Sequence, residues 1–300
     1  MCFTIVRLPI RIGKGDQITD KMKFWKYQGA GNDFVMLDQR QAQPITRGDT
    51  ALIERLCDRH FGIGADGLIL LQNHPDYDFE MIYFNADGRE SSMCGNGGRC
   101  MAAFAQDLGA TAGQCRFLAI DGPHEAQVSM PHPDADLTSS QAKYWVELKM
   151  TDVQSIEQQD VDTYILNTGS PHYVHFADKI GDLNMVEVGR AVRYSERFRE
   201  AGINVNLVEP TPKGLRIRTY ERGVEDETLA CGTGVTAAAL ADALRNKMAH
   251  ETVGETAVQA RGGHLSVRFR VNGEGFREVW LCGPATQVFA GRLGGKNFDY

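Results

Sequence analysis

Hydrophobic residues in this chain occur in short runs separated by polar or glycine-rich segments, a pattern that predicts many short β-strands. The runs richest in β-formers are 34–37, 68–71, 80–85, 144–150, 173–176, 205–209 and 215–220. Two longer stretches, 98–108 and 235–245, are rich in alanine, methionine and leucine and predict helices. The sequence therefore predicts a mixed α/β fold in which strands outnumber helices.

The order of these elements repeats. GNDFVMLD, FGIGADGLILL and a cysteine-containing motif follow one another early in the chain, and GSPHYVHF, GINVNLVE and a second cysteine motif follow later. Gly31 precedes Cys94 by 63 positions, and Gly169 precedes Cys231 by 62. Such spacing indicates an internal duplication, and we expect two pseudo-symmetric α/β (α+β-like) domains, each a sheet wrapped around one central helix.

The predicted domains are 1–133, which carries Cys94, and 134–284, which carries Cys231. The Pro- and Asp-rich stretch 130–141 is the natural hinge between them. Residues 1–21 share no motif with either repeat, so they are predicted to be an extension without a catalytic role or, alternatively, an additional edge strand.

Composition excludes several classes of protein. The 300 residues are 42% hydrophobic and 24% charged, with a net charge of −7 and scattered basic residues, so a nucleic-acid partner is not expected. Apolar runs are far shorter than the roughly 20 residues that span a bilayer, and arginines interrupt the apolar N-terminal stretch, which does not fit a signal peptide. We expect a cytoplasmic protein without a membrane partner.

The cysteines give the first indication of chemistry. Seven are present, an odd number at wide spacing, which argues for reduced thiols rather than disulfides. The spacing fits no zinc site, so no metal is expected. Cys94 and Cys231 differ from the rest because each begins a C-G-x-G motif where a loop enters a predicted helix. A helix N-terminus lowers a thiol pKa and can bind a carboxylate.

Two such cysteines at equivalent places in two repeats are expected to face each other across a cleft. Inverting a stereocentre by proton exchange needs a base on one face of the carbon and an acid on the other. A thiolate and a thiol supply both, and no lysine stands in a pyridoxal-binding context. The pattern predicts a cofactor-independent racemase or epimerase.

The motifs GAGNDFV, FNADG followed by MCGNGGRC, GSPH, GINV and YERGVEDETLACGTG resemble those of diaminopimelate epimerases, in order and at similar spacing, from about residue 23 onward. The resemblance implies interconversion of LL- and meso-diaminopimelate, a step that feeds lysine and peptidoglycan synthesis. It also implies a homodimer, and a terminal segment 285–300 that returns to the first domain.

The resemblance also implies roles for individual residues. Cys94 and Cys231 are the acid/base pair. The proposed substrate-binding residues are Asn32, Asn85, Gly95, Asn96, Asn204, Glu221, Arg222, Gly232 and Thr233. Arg222 suits a bidentate contact with a substrate carboxylate, and Glu221 is also expected to tune the thiol pKa values.

Two positions depart from the family pattern. Many members carry Gln where this chain has Gly67, and Asn where it has Ser170; both positions normally touch substrate. Ser170 can still form a hydrogen bond, whereas a water or a neighbouring group must replace the side chain that Gly67 lacks. His172 is interpreted either as a residue that tunes a thiol pKa or as a structural histidine.

The sequence raises three other interpretations. Gly62, Gly64 and Gly67 form a G-x-G-x-x-G, but a helical pattern precedes it and a strand follows, the reverse of a dinucleotide site. A proline or hydroxyproline racemase of the same fold would carry M-C-G-H and S-P-C-G-T-G at its cysteines. A non-catalytic ligand-binding or thiol-redox protein remains the alternative from another class.

Overall fold

The computed structural model describes residues 6–7, 22–91, 93–130, 144–273 and 275–294. Within these ranges there are four α-helices: α1 Thr50–Cys57, α2 Gly95–Asp107, α3 Met185–Arg193 and α4 Gly232–Arg245. The strands are β1 Val6–Arg7, β2 Met22–Gly29, β3 Asn32–Asp38, β4 Gly67–Gln72, β5 Phe79–Asn85, β6 Gln114–Ala119, β7 Gly122–Ser129, β8 Tyr144–Lys149, β9 Glu157–Gln158, β10 Thr163–Asn167, β11 Pro171–Phe176, β12 Asn204–Thr211, β13 Gly214–Glu221, β14 Asp226–Thr228, β15 Val253–Ala260, β16 Gly263–Asn272 and β17 Gly275–Gly294.

Strands β2 to β8 form a closed barrel together with the second part of β17. Each strand from β2 to β7 pairs with the next, β7 pairs with β8, and β17 pairs with both β8 and β2. The pairs β3–β4 and β5–β6 are parallel and the others are antiparallel. Closure leaves β2 to β8 without a free edge in this barrel.

The second half repeats this pattern strand for strand. β10, β11, β12, β13, β15 and β16 pair in the same order, again with two parallel pairs, β11–β12 and β13–β15. The first part of β17 then pairs with β16. Helices α1 and α3 occupy the same crossover, and α2 and α4 the same central position. The predicted fold, two matching halves each with a sheet wrapped around a helix, is confirmed.

The central helices are built from small residues because they are enclosed on all sides. Every residue of α2 from Gly95 to Ala105 is buried, and α4 is buried along the run Val235–Ala241. Alanine and glycine allow the surrounding strands to approach closely, and alanine keeps the helix propensity high. The two helices and the inward side chains of the strands form one continuous hydrophobic cluster.

Strand β17 belongs to both halves. Its residues 275–282 pair with β16, residues 280–285 with β8, and residues 286–293 with β2. The strand β1 pairs in parallel with the end of β17, so part of the N-terminal extension lies at a sheet edge.

All seven predicted strand runs coincide with strands, and both predicted helices are present. The helices begin three residues earlier than the predicted 98 and 235, because glycines at the first turn weaken the sequence signal for helix. The predicted hinge and the predicted boundary at 133/134 lie outside the described residues, and the domain limits 1–133, 134–284 and 285–300 remain a prediction. No helix in the described ranges has the length and apolarity needed to cross a lipid bilayer.

Candidate active site

Cys94 and Cys231 are the N-cap residues of α2 and α4, the equivalent central helices of the two halves. Both have extended backbone, and neither side chain caps its helix by a hydrogen bond. The amide groups of Asn96 and Gly97 face the Cys94 sulfur, and that of Gly234 faces the Cys231 sulfur. Each sulfur therefore lies at the positive end of a buried helix.

The two helix N-termini touch each other. A Cβ built on Gly232 would lie 3.5 Å from the Cα of Gly95, and one built on Gly95 would lie 3.7 Å from the Cα of Gly232. The Leu281 side chain of β17 closes the remaining space, 2.8 Å from the Cβ position of Gly232. Only glycine allows this approach, and the charge of Cys94 acts on the thiol of Cys231 across it.

Asn32 lies on the Cys94 side of the site. The Cys94 thiol donates to the Asn32 Oδ1 atom at 3.6 Å, and the Asn32 amide donates to Asp66 Oδ2 at 2.6 Å. Arg59 in turn donates to Asp66 Oδ1 at 2.6 Å. Sequence analysis did not assign a role to Asp66, which orients Asn32 through a contact 34 residues distant in the chain.

Asn96 connects the two halves beneath the thiols. Its amide donates to the carbonyl of Ala230, the residue before Cys231, at 3.0 Å. Its Oδ1 accepts from the Arg99 guanidinium at 2.8 Å. Arg99 is fully buried, its Nε has no hydrogen-bond partner among the described residues, and burial lowers its pKa. Arg99 is a second residue that sequence analysis missed, although it stands within the motif MCGNGGRC.

On the other side, a hydrogen-bonded group of residues surrounds Cys231. The Cys231 sulfur lies 3.4 Å from the Thr233 hydroxyl, which lies 3.5 Å from the Ser170 hydroxyl. The Asn204 amide donates to the Ser170 hydroxyl at 2.7 Å. The structure thus brings these predicted residues together, and Ser170 forms the hydrogen bonds expected of a polar side chain at its position.

His172 is fully buried behind this group. Its Nε2 lies 3.1 Å from the Ser170 hydroxyl and its Nδ1 lies 3.1 Å from the Asn206 amide. Burial and the charge of Arg222 lower the pKa of His172 to about 3. The ring is therefore neutral and adds no charge to the site, which favours the structural interpretation. Asn206, which accepts from the Thr219 hydroxyl at 2.9 Å, had no assigned role in the sequence.

The expected lowering of the thiol pKa values is wrong for the site without substrate. Burial raises the pKa of Cys231 to about 12, and the charge of Glu221 adds to that rise. Burial and Glu221 raise the pKa of Cys94 as well. The helix amides act in the expected direction, but loss of solvent outweighs them. The Glu221 charge therefore acts in the direction that makes both thiols harder to ionise.

Glu221 is the last residue of strand β13, and Arg222 follows it. Burial raises the pKa of the Glu221 carboxyl. The Arg222 amide donates to Asn204 Oδ1 at 2.8 Å, and its exposed guanidinium donates to the carbonyl of Ala201 at 2.9 Å. The backbone of Arg222 is thus fixed at the site, while its guanidinium lies at the surface.

Asn85 and Gly67 are paired across neighbouring strands on the first half. Asn85 is exposed at the end of β5, and Gly67 is buried directly after Asp66. No group of three or more histidine, cysteine or acidic side chains in the described part of the chain could hold a metal ion.

Two solved structures of other proteins are similar in fold to this chain. A phenazine biosynthesis protein of the PhzF family from Bacillus anthracis superposes with a TM-score of 0.67 at 13% identity, covering 91% of this chain and 99% of that one. A hydroxyproline epimerase from Agrobacterium vitis gives a TM-score of 0.63 at 13% identity, covering 91% and 92%. This chain therefore shares its fold with a PhzF-family protein and with a hydroxyproline epimerase.

Sequence comparison narrows the class to one family. The diaminopimelate epimerase family model matches residues 24–140 and 164–288. Diaminopimelate epimerases from Flavobacterium psychrophilum and Aquifex aeolicus are 46% and 36% identical, covering 89% and 93% of this chain and 98% and 100% of their own lengths. The chain belongs to the diaminopimelate epimerase family and is an isomerase.

Proposed function

We propose that this protein interconverts LL- and meso-diaminopimelate by exchanging one α-proton between Cys94 and Cys231. The observation that carries the proposal is the contact of Gly95 with Gly232, which brings the N-cap cysteines of two matching helices together. The family membership supports the substrate. No cofactor enters the proposed mechanism.

Proton exchange needs one thiolate and one thiol. The thiolate takes the α-proton and becomes a thiol, and the electron pair of the broken C–H bond moves onto the α-carbon and its carboxylate. The opposite thiol then gives its proton to the other face of the carbon and becomes the thiolate. Atoms and charge balance, and the reverse reaction uses the same groups with exchanged roles.

The site offers each reacting group a complementary contact. The backbone amides at the N-termini of α2 and α4 can bind the reacting carboxylate, where negative charge increases during proton removal. The Glu221 carboxylate can bind the α-ammonium group, whose positive charge offsets the carboxylate charge that raises both thiol pKa values. Ionisation of one thiol is therefore expected to become easier when substrate is present.

Asn85, Asn204 and Arg222 are proposed to bind the distal amino-acid group of diaminopimelate. We further propose that the protein acts in the cytoplasm as a homodimer with a small-molecule substrate, with neither nucleic acid nor membrane as partner. The net charge of −7 is consistent with this. Size-exclusion chromatography with light scattering tests the dimer.

The test of function is incubation of LL-diaminopimelate in deuterated water, with deuterium incorporation read by mass. Cys94→Ala and Cys231→Ala should each reduce exchange by at least about 10²-fold, since a general acid or base usually supplies 10²–10⁴-fold. Cys282→Ala, which removes a buried thiol on β17, is the matched control and should retain activity. Substantial exchange by either alanine variant of the pair would contradict the two-base mechanism.

The alternatives from the sequence make different predictions in the same assay. A proline-type racemase would exchange the α-proton of L-proline in preference to that of LL-diaminopimelate. A non-catalytic binding or thiol-redox protein would exchange neither.

A further inference from the structure

Tyr83 is the third-last residue of strand β5, two positions before Asn85. Side chains two residues apart share one face of a strand, so Tyr83 lies on the same face as Asn85 and Met81. Met81 packs in the cluster around α2. Tyr83 is 8% exposed, and its ring meets that of Phe34 edge to face at 5.9 Å. The Tyr83 ring therefore packs at the boundary between the hydrophobic interior of the first barrel and the candidate active site.

The Tyr83 ring occupies the space beside Gly67. A Cβ built on Gly67 would lie 2.6 Å from the Tyr83 Cε2 atom and 3.2 Å from its hydroxyl oxygen. It would also lie 2.4 Å from the carbonyl oxygen of Phe84. A side chain at position 67 would require backbone movement, because the Tyr83 ring and the Phe84 carbonyl oxygen already occupy that space.

The Tyr83 hydroxyl faces ionisable groups of the site. Burial raises the pKa of Tyr83, and the charges of Cys94, Asp66 and Glu221 are among the further causes. The hydroxyl is therefore neutral and can both donate and accept a hydrogen bond. Among the described residues none forms a hydrogen bond with it, and the oxygen is not among the fully buried polar atoms that lack a partner, so it is not completely enclosed by protein. The hydroxyl is available to a ligand.

We propose that the Tyr83 hydroxyl hydrogen-bonds the α-amino-acid head group at the reacting carbon, in the space that Gly67 leaves to it. The inference rests on the proposed function and adds a substrate contact to it. The hydroxyl lies beside Gly67, and the preceding residue, Asp66, orients Asn32, which accepts from the Cys94 thiol. With Glu221 binding the ammonium group from one side, Tyr83 accepts from a second N–H of the same group. Tyr83 is thus a positioning residue for the proton exchange.

Tyr83→Phe tests the inference because it removes only the hydroxyl. A hydrogen bond to a charged group contributes enough that its loss should raise KM for LL-diaminopimelate roughly tenfold or more. The thermal midpoint should stay within a few degrees of wild type, since no described residue loses a partner. Tyr164→Phe is the matched control: Tyr164 is 1% exposed on β10, its hydroxyl bonds within the protein, and its KM should not change.

Binding separates this inference from the proposed function. Titration calorimetry of meso-diaminopimelate with Cys231→Ala and with the double variant Cys231→Ala/Tyr83→Phe should show weaker binding to the double variant by the same factor. Failure of wild type to exchange any α-proton would refute the proposed function itself. Normal exchange by wild type, with KM and binding unaffected by Tyr83→Phe, would overturn the Tyr83 assignment alone. A Tyr83→Phe protein that does not fold would also overturn it, because the hydroxyl would then be structural.

Discussion

Glu221 is the residue whose charge acts on both reacting thiols. Its carboxylate raises the pKa of Cys94 and of Cys231, in each case together with burial. In the proposed function the same carboxylate binds the α-ammonium group. One side chain can thus keep the thiols protonated when the site is empty and promote their ionisation once a positively charged group has arrived.

Removing this charge should shift the thiol titration to lower pH. In Glu221→Gln each thiolate is no longer opposed by a neighbouring anion, so the pKa of both thiols falls, although burial still keeps it above the ordinary range. The pH dependence of alkylation by iodoacetamide, followed by peptide mapping of Cys94 and Cys231, measures the shift. Glu227→Gln, whose carboxylate pairs with Arg218 and Arg261, is the control. An unchanged or higher midpoint in Glu221→Gln would contradict this electrostatic role.

Sequence motifs identified the thiols but not the sign of their pKa shifts. A C-G-x-G at the start of a helix indicates stabilising amides, whereas burial depends on strands that lie far away in the chain. Leu281 of β17 packs against the glycines that begin both central helices, and no local sequence pattern predicts this contact. Asp66 and Arg99 were not predicted for the same reason, since each of them acts on the site through the side chain of another residue.

At the scale of elements, helix α2 is tied to the second half by Asn96. The buried guanidinium of Arg99 depends on the Asn96 side chain for its shortest hydrogen bond, 2.8 Å, and the Asn96 amide reaches the loop before Cys231. A buried charged group that loses its partner is costly. Asn96 therefore fixes the start of α2, because it accepts a hydrogen bond from Arg99 and donates one to the carbonyl of Ala230.

Asn96→Ala should lower the free energy of unfolding by about 1.5–3 kcal/mol, the usual contribution of a hydrogen bond to a charged group. Denaturant unfolding followed by circular dichroism measures it. Asn73→Ala is the control, because Asn73 is exposed and donates to the carbonyl of Arg40, and it should change stability far less. Equal stability of the two variants would mean that Arg99 finds another acceptor.

The strands that sequence patterns predicted are those with a strongly apolar inner face. β4, with five buried residues in succession, is an example. β7 was not predicted: only Ala126 is fully buried in its sequence GPHEAQVS, so its pairing with β6 and β8 defines it. β17 contains Gly283 and Pro284, residues that normally indicate a strand end, yet it continues through them. Its length could not be predicted because its partners lie in both halves.

At the scale of the whole molecule, Cys94 and Cys231 begin the two helices at which the halves meet. They are free in the structure, and the helices that they precede approach each other at Gly95 and Gly232, with Leu281 packed against both glycines. Oxidation is therefore expected to form a Cys94–Cys231 disulfide that links the halves covalently. Because only a thiolate reacts readily, the raised pKa values imply slow oxidation near neutral pH and faster oxidation at higher pH.

Peptide mapping after mild oxidation tests this prediction. The cross-link should join the peptide containing MCGNGGR to that containing ACGTGVT, and Cys57, Cys115 and Cys282 should be alkylatable after unfolding. Activity should be lost in step with the cross-link, return with a thiol reductant, and be protected by substrate. A map that instead pairs Cys94 with Cys100 would show that the thiols of the two halves do not meet.

The shared strand β17 has a consequence for how the chain acquires its structure during synthesis. The first barrel closes only when residues 280–293 pair with β8 and β2, and these residues leave the ribosome after all of the strands from β2 to β16. Until then β2 and β8 have exposed edges, which are sites of aggregation. The N-terminal half therefore cannot mature first, as domains usually do during translation. Pairing between strands so distant in sequence also carries a large loop-closure entropy, and folding is expected to be slow and to complete both halves in one late step.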